Sequence, residues 1–230
     1  MITSPASNTG VRSPAPVRLP LAISALLLLA AYGVETLLAT RAPYFSGDVG
    51  IERAVQGVPW GPVITLFSAF DRFEGLYQVG FGLLMVLFIF LIHRRATLLI
   101  VAGMCSAGLY YVTQATVHRP RPNDNLVHVA RHTSDFSYPS GHVVFFLWVA
   151  VLVTVAMRNS ALPRWIAHVV TAILSAAFLV ATLGRMELGE HWPSDVLAGL
   201  LLSAGWTLGV LSVRWLTATS LGPAPERAEP

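Results

Sequence analysis

His191 and Asp195 stand four residues apart in the run Gly184-Arg185-Met186-Glu187-Leu188-Gly189-Glu190-His191-Trp192-Pro193-Ser194-Asp195. A histidine beside a carboxylate can serve as a nucleophile. With Pro193 at a favoured first position of a helix, Asp195 falls in the first turn and His191 just before it. The carboxylate then reaches Nδ1, fixes the tautomer and leaves Nε2 free to attack phosphorus. Taken alone, such a pair is more often an interfacial hydrogen-bonded pair than a catalytic one.

Two further clusters give it company. Tyr138-Pro139-Ser140-Gly141-His142 stands directly before the apolar run from Val143 to Met157, which reads as a helix start with Ser140 as N-cap. The free N–H groups and positive dipole end there form an anion site, and Gly141 lets backbone approach a phosphate oxygen closely. His142, in the first turn, is placed to donate a proton to a departing oxygen. His118-Arg119-Pro120-Arg121-Pro122 follows a run containing Gln114. Arginine forks suit bidentate phosphate binding, and alternating prolines hold the backbone extended. The plainer reading of these arginines is a headgroup anchor, and it fits Arg119 better than Arg121.

The elements that must position these residues are membrane helices. The 230 residues are 54% hydrophobic and 12% charged, against about 25% charged in soluble domains. The apolar residues fall in blocks near the ~20 residues a helix needs to cross a bilayer. Six spans are expected, near 20–40, 74–93, 96–117, 142–158, 163–183 and 193–213, giving an all-α, six-helix integral membrane bundle as one domain over 19–216. The Pro- and Ser-rich ends, 1–18 and 217–230, read as disordered tails. Residues 61–70 are apolar but too short to span, and are expected to be re-entrant or interfacial. The first span reads as a retained helix rather than a cleaved signal, because its apolar stretch continues to Thr40.

Six spans place all three polar clusters on the face opposite the termini. Polar residues that converge at membrane depth are usually functional. Arg12, Arg18, Arg94, Arg95, Arg158, Arg164 and Arg214 flank the terminal face, and Arg41, Arg53, Arg72, Arg119, Arg121, Arg131 and Arg185 the other. Assigning Arg119, Arg121 and Arg185 to chemistry breaks that tie and puts the termini in the cytoplasm. Every basic residue other than histidine is arginine, and none cluster with aromatics, so nucleic-acid binding gains no support. Cys105 is the only cysteine, which excludes an intrachain disulfide and a thiolate metal cluster, and it reads as a small packing residue. Glu35 reads as a hydrated interfacial glutamate, Glu187 and Glu190 as solvated loop carboxylates, and His128 and His132 as surface loop residues.

Together the three clusters resemble the signature of the type 2 phosphatidic acid phosphatases, a lipid phosphatase superfamily that shares its core with vanadium haloperoxidases. That signature runs K-x6-R-P, then P-S-G-H, then S-R-x5-H-x3-D. Arg121-Pro122 matches the end of the first part, Pro139-Ser140-Gly141-His142 the whole of the second, and Arg185, His191 and Asp195 the third, in order and at the required spacing. Two positions depart: Gln114 stands where the family has lysine, and Gly184 where it has serine. A glutamine donates a hydrogen bond but brings no charge to the transition state, and losing one such contact costs roughly a hundredfold in rate.

The resemblance implies a metal-independent hydrolase, without cofactor, acting on a lipid phosphate or diphosphate in a bacterial plasma membrane at the outer face. Polyprenyl diphosphate, phosphatidic acid and phosphatidylglycerophosphate are the substrates it suggests. It implies that His191 forms a phosphohistidine, that Asp195 orients the imidazole, and that His142 protonates the leaving oxygen and then activates water. Arg121, Arg185, Ser140 and Gly141 would hold the phosphoryl oxygens, with Gln114 at the lysine's position. Lipid phosphotransfer and non-catalytic binding of a lipid phosphate are the alternatives.

Overall fold

Backbone N–H and C=O groups in a bilayer must be satisfied within the segment, so the long apolar runs become helices. The computed structural model describes residues 16–222, and these are all-helical apart from loops and a single bridge between Val17 and Val213. The helices are α1 (Leu19–Ala39), α2 (Asp48–Gln56), α3 (Val63–Asp71), α4 (Leu76–His93), α5 (Thr97–Met104), α6 (Ser106–Val117), α7 (Gly141–Arg158), α8 (Arg164–Glu187), α9 (Pro193–Ser212) and α10 (Arg214–Leu221).

Five helical stretches are long and apolar enough to cross a membrane, and one of them, Leu76–Val117, is 42 residues long. Straight, it would reach roughly 63 Å at 1.5 Å per residue, about twice the hydrocarbon core. Instead the chain turns at Arg94–Ala96, and a Cβ on Gly82 of α4 would stand 3.6 Å from Met104 of α5. The stretch is therefore an antiparallel pair, α4 against α5–α6, and its two arms correspond to the second and third expected spans. Cys105, expected as a packing residue, is exposed where α5 gives way to α6.

The centre of the bundle is α7, with 10 of its 18 residues buried, and the edge includes α1 and α8, with 4 of 21 and 6 of 24. Trp148, Val149, Leu152, Val153 and Ala156 of α7 pack with Ile89 of α4 and Ile100 of α5 in the main apolar core. The short apolar segment near 61–70 becomes α3, a nine-residue helix lying along α8, so no seventh pass arises. The equally short, polar α2 has no counterpart in the apolar pattern.

At one end of the bundle lie the turn after α4, the α7–α8 turn and the start of α10. The described N-terminal residues join them, with Arg18 N donating to Ser212 O at 2.8 Å and Arg214 N to Pro16 O at 3.0 Å. The other end carries the close of α6 and α8 and the starts of α7 and α9, which is where the three clusters fall. The tail expected from 217 begins inside α10, which continues to Leu221. Residues 1–15 and 223–230, the remainder of the two expected tails, lie outside the described residues.

Candidate active site

Four helix ends and one long loop build the site. α6 closes on His118 in the left-handed region, φ 51°, a turn that sends Arg119 inward and starts the 118–140 loop. α8 closes by folding back on itself: Glu190 N and His191 N both donate to Arg185 O, at 3.0 and 3.2 Å. This loop brings Arg185, Glu190 and His191 together. It depends on Gly189, whose φ is +67° and whose Cβ, if it had one, would stand 2.1 Å from His128 O. Gln56 of α2 clamps the same junction, donating to His128 O at 2.8 Å and accepting from His128 N at 3.0 Å. The start of α7 is fastened to α9 through Ser140 N to Asp195 O, 3.0 Å.

The open cleft between these elements has a volume of about 700 Å³, and Gln114, Arg121, Gly141, His142, Arg185 and His191 all line it. Motifs far apart in the chain thus meet on one surface. Ser140 and Asp195, both 0% exposed, stand behind that surface.

His191 Nδ1 lies 2.6 Å from Ser137 O. A carbonyl can only accept, so Nδ1 carries the proton and Nε2 the lone pair. Burial first, then the Arg121 and Arg185 charges, holds this imidazole well below its ordinary pKa, so the ring is neutral near neutral pH. The direct hydrogen bond expected from Asp195 is not made: its Oδ2 lies 3.9 Å from Nδ1 and accepts from Trp192 N at 2.9 Å. The tautomer is set by Ser137, a residue outside the motifs, while Asp195 contributes its charge across the gap. His142 Nε2 is held by Phe70 O at 3.0 Å, which leaves Nδ1 as its nitrogen for proton transfer.

The arginines divide into two groups. Arg121 grips Asp135 through Nε at 3.0 Å and Nη2 at 2.8 Å, and its Nη1 meets Glu190 Oε2 at 3.1 Å. Arg185, 2% exposed, pairs with Asp71 at 2.5 Å and Glu190 at 3.2 Å. Arg131, in the loop, joins Glu74 at 3.0 Å and Glu190 at 3.4 Å. Glu190, expected in solvent, is instead 1% exposed and shared by three guanidinium groups. Burial raises its pKa against the pull of Arg185 and the other arginines. Two donors, Ser140 Oγ and Arg185 Nε, are buried with no partner. Ser140 occupies the N-cap position of α7, but its hydroxyl makes no capping bond.

Arg119 belongs elsewhere. Expected as a headgroup anchor, it is 1% exposed. It donates to Asp195 Oδ1 at 2.6 Å, Ser194 Oγ at 2.8 Å and Asp48 Oδ2 at 3.1 Å. It therefore braces Asp195 from behind instead of facing the cleft. Glu35, expected to be hydrated, is buried with neither oxygen partnered. Gln114 turns its amide to Phe136 O at 3.3 Å. His132 makes a surface pair with Asp124 at 3.1 Å.

Glu52 of α2 is 0% exposed, and neither of its oxygens has a partner. Burial, reinforced by Asp195 and Asp48, pushes its carboxyl up to about 9 from 4.5, so it is protonated at neutral pH. A carboxyl raised on folding gives stability that is full below the unfolded value and is lost as pH rises through the folded one. Glu52→Gln keeps the shape without needing a proton. It is expected to raise the melting temperature by an amount that is small near pH 5 and grows toward pH 9. Thermal unfolding across that range checks this, and a gain that shrinks with pH would count against it.

Comparison with known proteins bears on the same residues. A model of the PAP2 superfamily matches residues 95–218. The chain is 27% identical over 155 residues to an undecaprenyl-diphosphatase of Sulfolobus acidocaldarius, covering 67% of this chain and 62% of that protein. It thus spans less than two thirds of that relative's length. Among solved structures, a transmembrane PAP2 type phosphatidylglycerolphosphate phosphatase from Bacillus subtilis matches with a TM-score of 0.61 at 19% identity, covering 79% of this chain and 92% of that one. That likeness is one of fold.

Proposed function

The chain belongs to the PAP2 superfamily, and from that premise we propose that it is a multi-pass membrane phosphatase that removes phosphate from a lipid phosphate or diphosphate through a phosphohistidine at position 191. The observation that carries this proposal is the junction of two cavities. The polar cleft shares Gly75, Gln78, Tyr110, Tyr111 and Gly141 with a second, apolar slot of about 110 Å³ between α4, α6 and α7, lined further by Val79, Met104, Val144, Phe145 and Trp148. A charged head in the cleft and a hydrocarbon tail in the slot is the arrangement a lipid phosphate requires. The name of the archaeal relative suits a diphosphate, but a monophosphate fits the same two cavities.

In this mechanism the Nε2 lone pair of His191 attacks phosphorus and the P–O bond to the lipid breaks. His142 enters this step as the imidazolium, its Nε2–H held on Phe70 O, and the leaving oxygen takes its Nδ1 proton. The ring becomes cationic once Nε2 is phosphorylated, and it is then stabilised by the Ser137 carbonyl and the Asp195 charge. Water next attacks phosphorus, giving its proton to His142, and inorganic phosphate leaves as the P–N bond breaks. Arg121 and Arg185 neutralise the equatorial oxygens, with the first N–H groups of α7 as further donors. The phosphoryl group takes the place of Asp135 on Arg121, a half-exposed carboxylate whose bidentate grip has the geometry of a phosphate contact.

We place the site at the outer face of the plasma membrane. Arg121 and Arg185 are ion-paired in the cleft, Arg131 beside it and Arg119 behind it. Arg18, Arg94, Arg95, Arg158, Arg164 and Arg214 flank the other end, where none of the described carboxylates lies. Free basic residues favour the cytoplasm.

The test is release of inorganic phosphate by purified protein in EDTA, across lipid mono- and diphosphates with an added lipid alcohol. Phosphate in solution is the expected product. A phosphorylated acceptor without free phosphate would make the protein a transferase, and saturable binding without turnover a lipid-phosphate-binding protein.

A further inference from the structure

Tyr110 stands where the two cavities meet, and we infer that its hydroxyl is a substrate-contacting group, donating to the ester oxygen of the bound lipid phosphate where head joins tail. The inference rests on the lipid phosphatase reading above.

Its first support is position. Tyr110 lines both the polar cleft and the apolar slot, together with Gly141, the first residue of α7. Its second is proximity to the anion end of that helix. A Cβ on Gly141 would stand 2.9 Å from both Cζ and Oη of Tyr110. The glycine of the Pro-Ser-Gly-His run is thus needed not only for close approach to phosphate but also to admit this ring. An alanine would push the tyrosine away from the helix start. A phosphate resting on the free N–H groups of α7 therefore lies beside this hydroxyl.

The third support is the state of the neighbouring donors. Tyr32 and Tyr138, in the adjoining layer, spend their hydroxyls on Thr113 at 2.7 Å and Thr36 at 3.0 Å. The hydroxyl of Tyr110 makes no such bond among the described residues. Gln114, one helical turn further along α6 and on the same face, points its amide at Phe136 O at 3.3 Å. On the α6 wall the side chain nearest the start of α7 is that of Tyr110, whereas one N–H of Gln114 is spent on Phe136 O.

Chemistry selects the oxygen. The arginines gather round Glu190, which suits the non-bridging oxygens, whereas the slot side carries Gln78, Tyr110 and Tyr111, which are neutral. The ester oxygen gains negative charge only as the P–O bond breaks, so a donor aimed at it acts mainly in the transition state. His142 supplies the proton, and Tyr110 holds the oxygen and shares its charge.

Tyr110→Phe removes the hydroxyl and keeps the ring that fills the space against Gly141. We expect kcat/KM to fall roughly tenfold or more, with most of the loss in kcat and an unchanged melting temperature. Tyr77→Phe, an exposed tyrosine of α4 outside both cavities, is the control and should match wild type. The same fall should appear with a short, soluble phosphomonoester, because the contact is to the ester oxygen and not to the tail. Wild-type turnover with Tyr110→Phe within twofold of it on every substrate overturns the inference alone. A loss seen only in KM, or a loss of melting temperature that accounts for the activity, also overturns it. Failure of wild type itself to release phosphate overturns this inference and the reading beneath it.

Discussion

His191→Ala is expected to abolish phosphate release, a loss on the order of 10⁴-fold or greater, in a protein that still folds. The residue is a cleft imidazole whose lone pair is fixed by geometry: Ser137 O takes the Nδ1 proton at 2.6 Å, and burial with the Arg121 and Arg185 charges keeps the ring neutral. A water in the vacated space is a weaker and less oriented nucleophile than the imidazole. Folding should survive because the change leaves one buried carbonyl without its donor, a cost of about 1–3 kcal/mol. The measurement is released phosphate per mole of protein, with melting temperature as the control. Rapid alkaline quench of wild type should show phosphate on a peptide containing residue 191. A variant that releases phosphate at the wild-type rate would remove the nucleophile from this residue. Asp195→Asn should be less severe for the chemical step than a broken direct hydrogen bond, since the carboxylate acts across 3.9 Å.

What the sequence made legible follows from what local pattern encodes. Hydropathy finds the helices because each must satisfy its own backbone in lipid, and the expected spans all fall on helices, the second and third as the two arms of one folded stretch. The motifs locate Arg121, His142, Arg185 and His191 because each sits at the end of an apolar run and all runs end at one of two depths. Partners contributed by unrelated segments were not legible. Glu190 looks like any loop carboxylate until three arginines from 121, 131 and 185 close on it. Asp71 lies at the end of a helix too short to be read as a pass, and Asp48 on one too polar. Ser137, which sets the histidine tautomer, acts through its backbone, so its side-chain type carries no signal. One signal was available for Gly189: a glycine just past a helix end often adopts a positive φ, and that conformation is what folds Glu190 and His191 back onto Arg185.

Arg119 and Arg121 look alike in sequence, two basic residues flanking Pro120, yet they should fail in opposite ways. Arg119→Met is expected to destabilise the fold itself. Its guanidinium is the shared counter-charge for Asp195 and Asp48, whose side chains are 0% and 4% exposed. Removing one partner from a buried ion pair costs about 3–5 kcal/mol, a large share of the roughly 5–15 kcal/mol that holds a typical domain together. Protein yield and melting temperature should both drop, and activity should follow them. Arg121→Met leaves behind Asp135, which is half-exposed and can be rehydrated, and Glu190, which keeps Arg185 and Arg131. The fold should therefore persist, with kcat/KM lower by roughly a hundredfold or more through loss of a charged contact to the phosphoryl oxygens. Thermal unfolding and phosphate release measured on both variants decide the matter. An Arg119→Met protein with wild-type melting temperature and low activity would place Arg119 in the phosphate cleft after all. The opposite result for Arg121, unfolding without a catalytic defect in the surviving protein, would take it out.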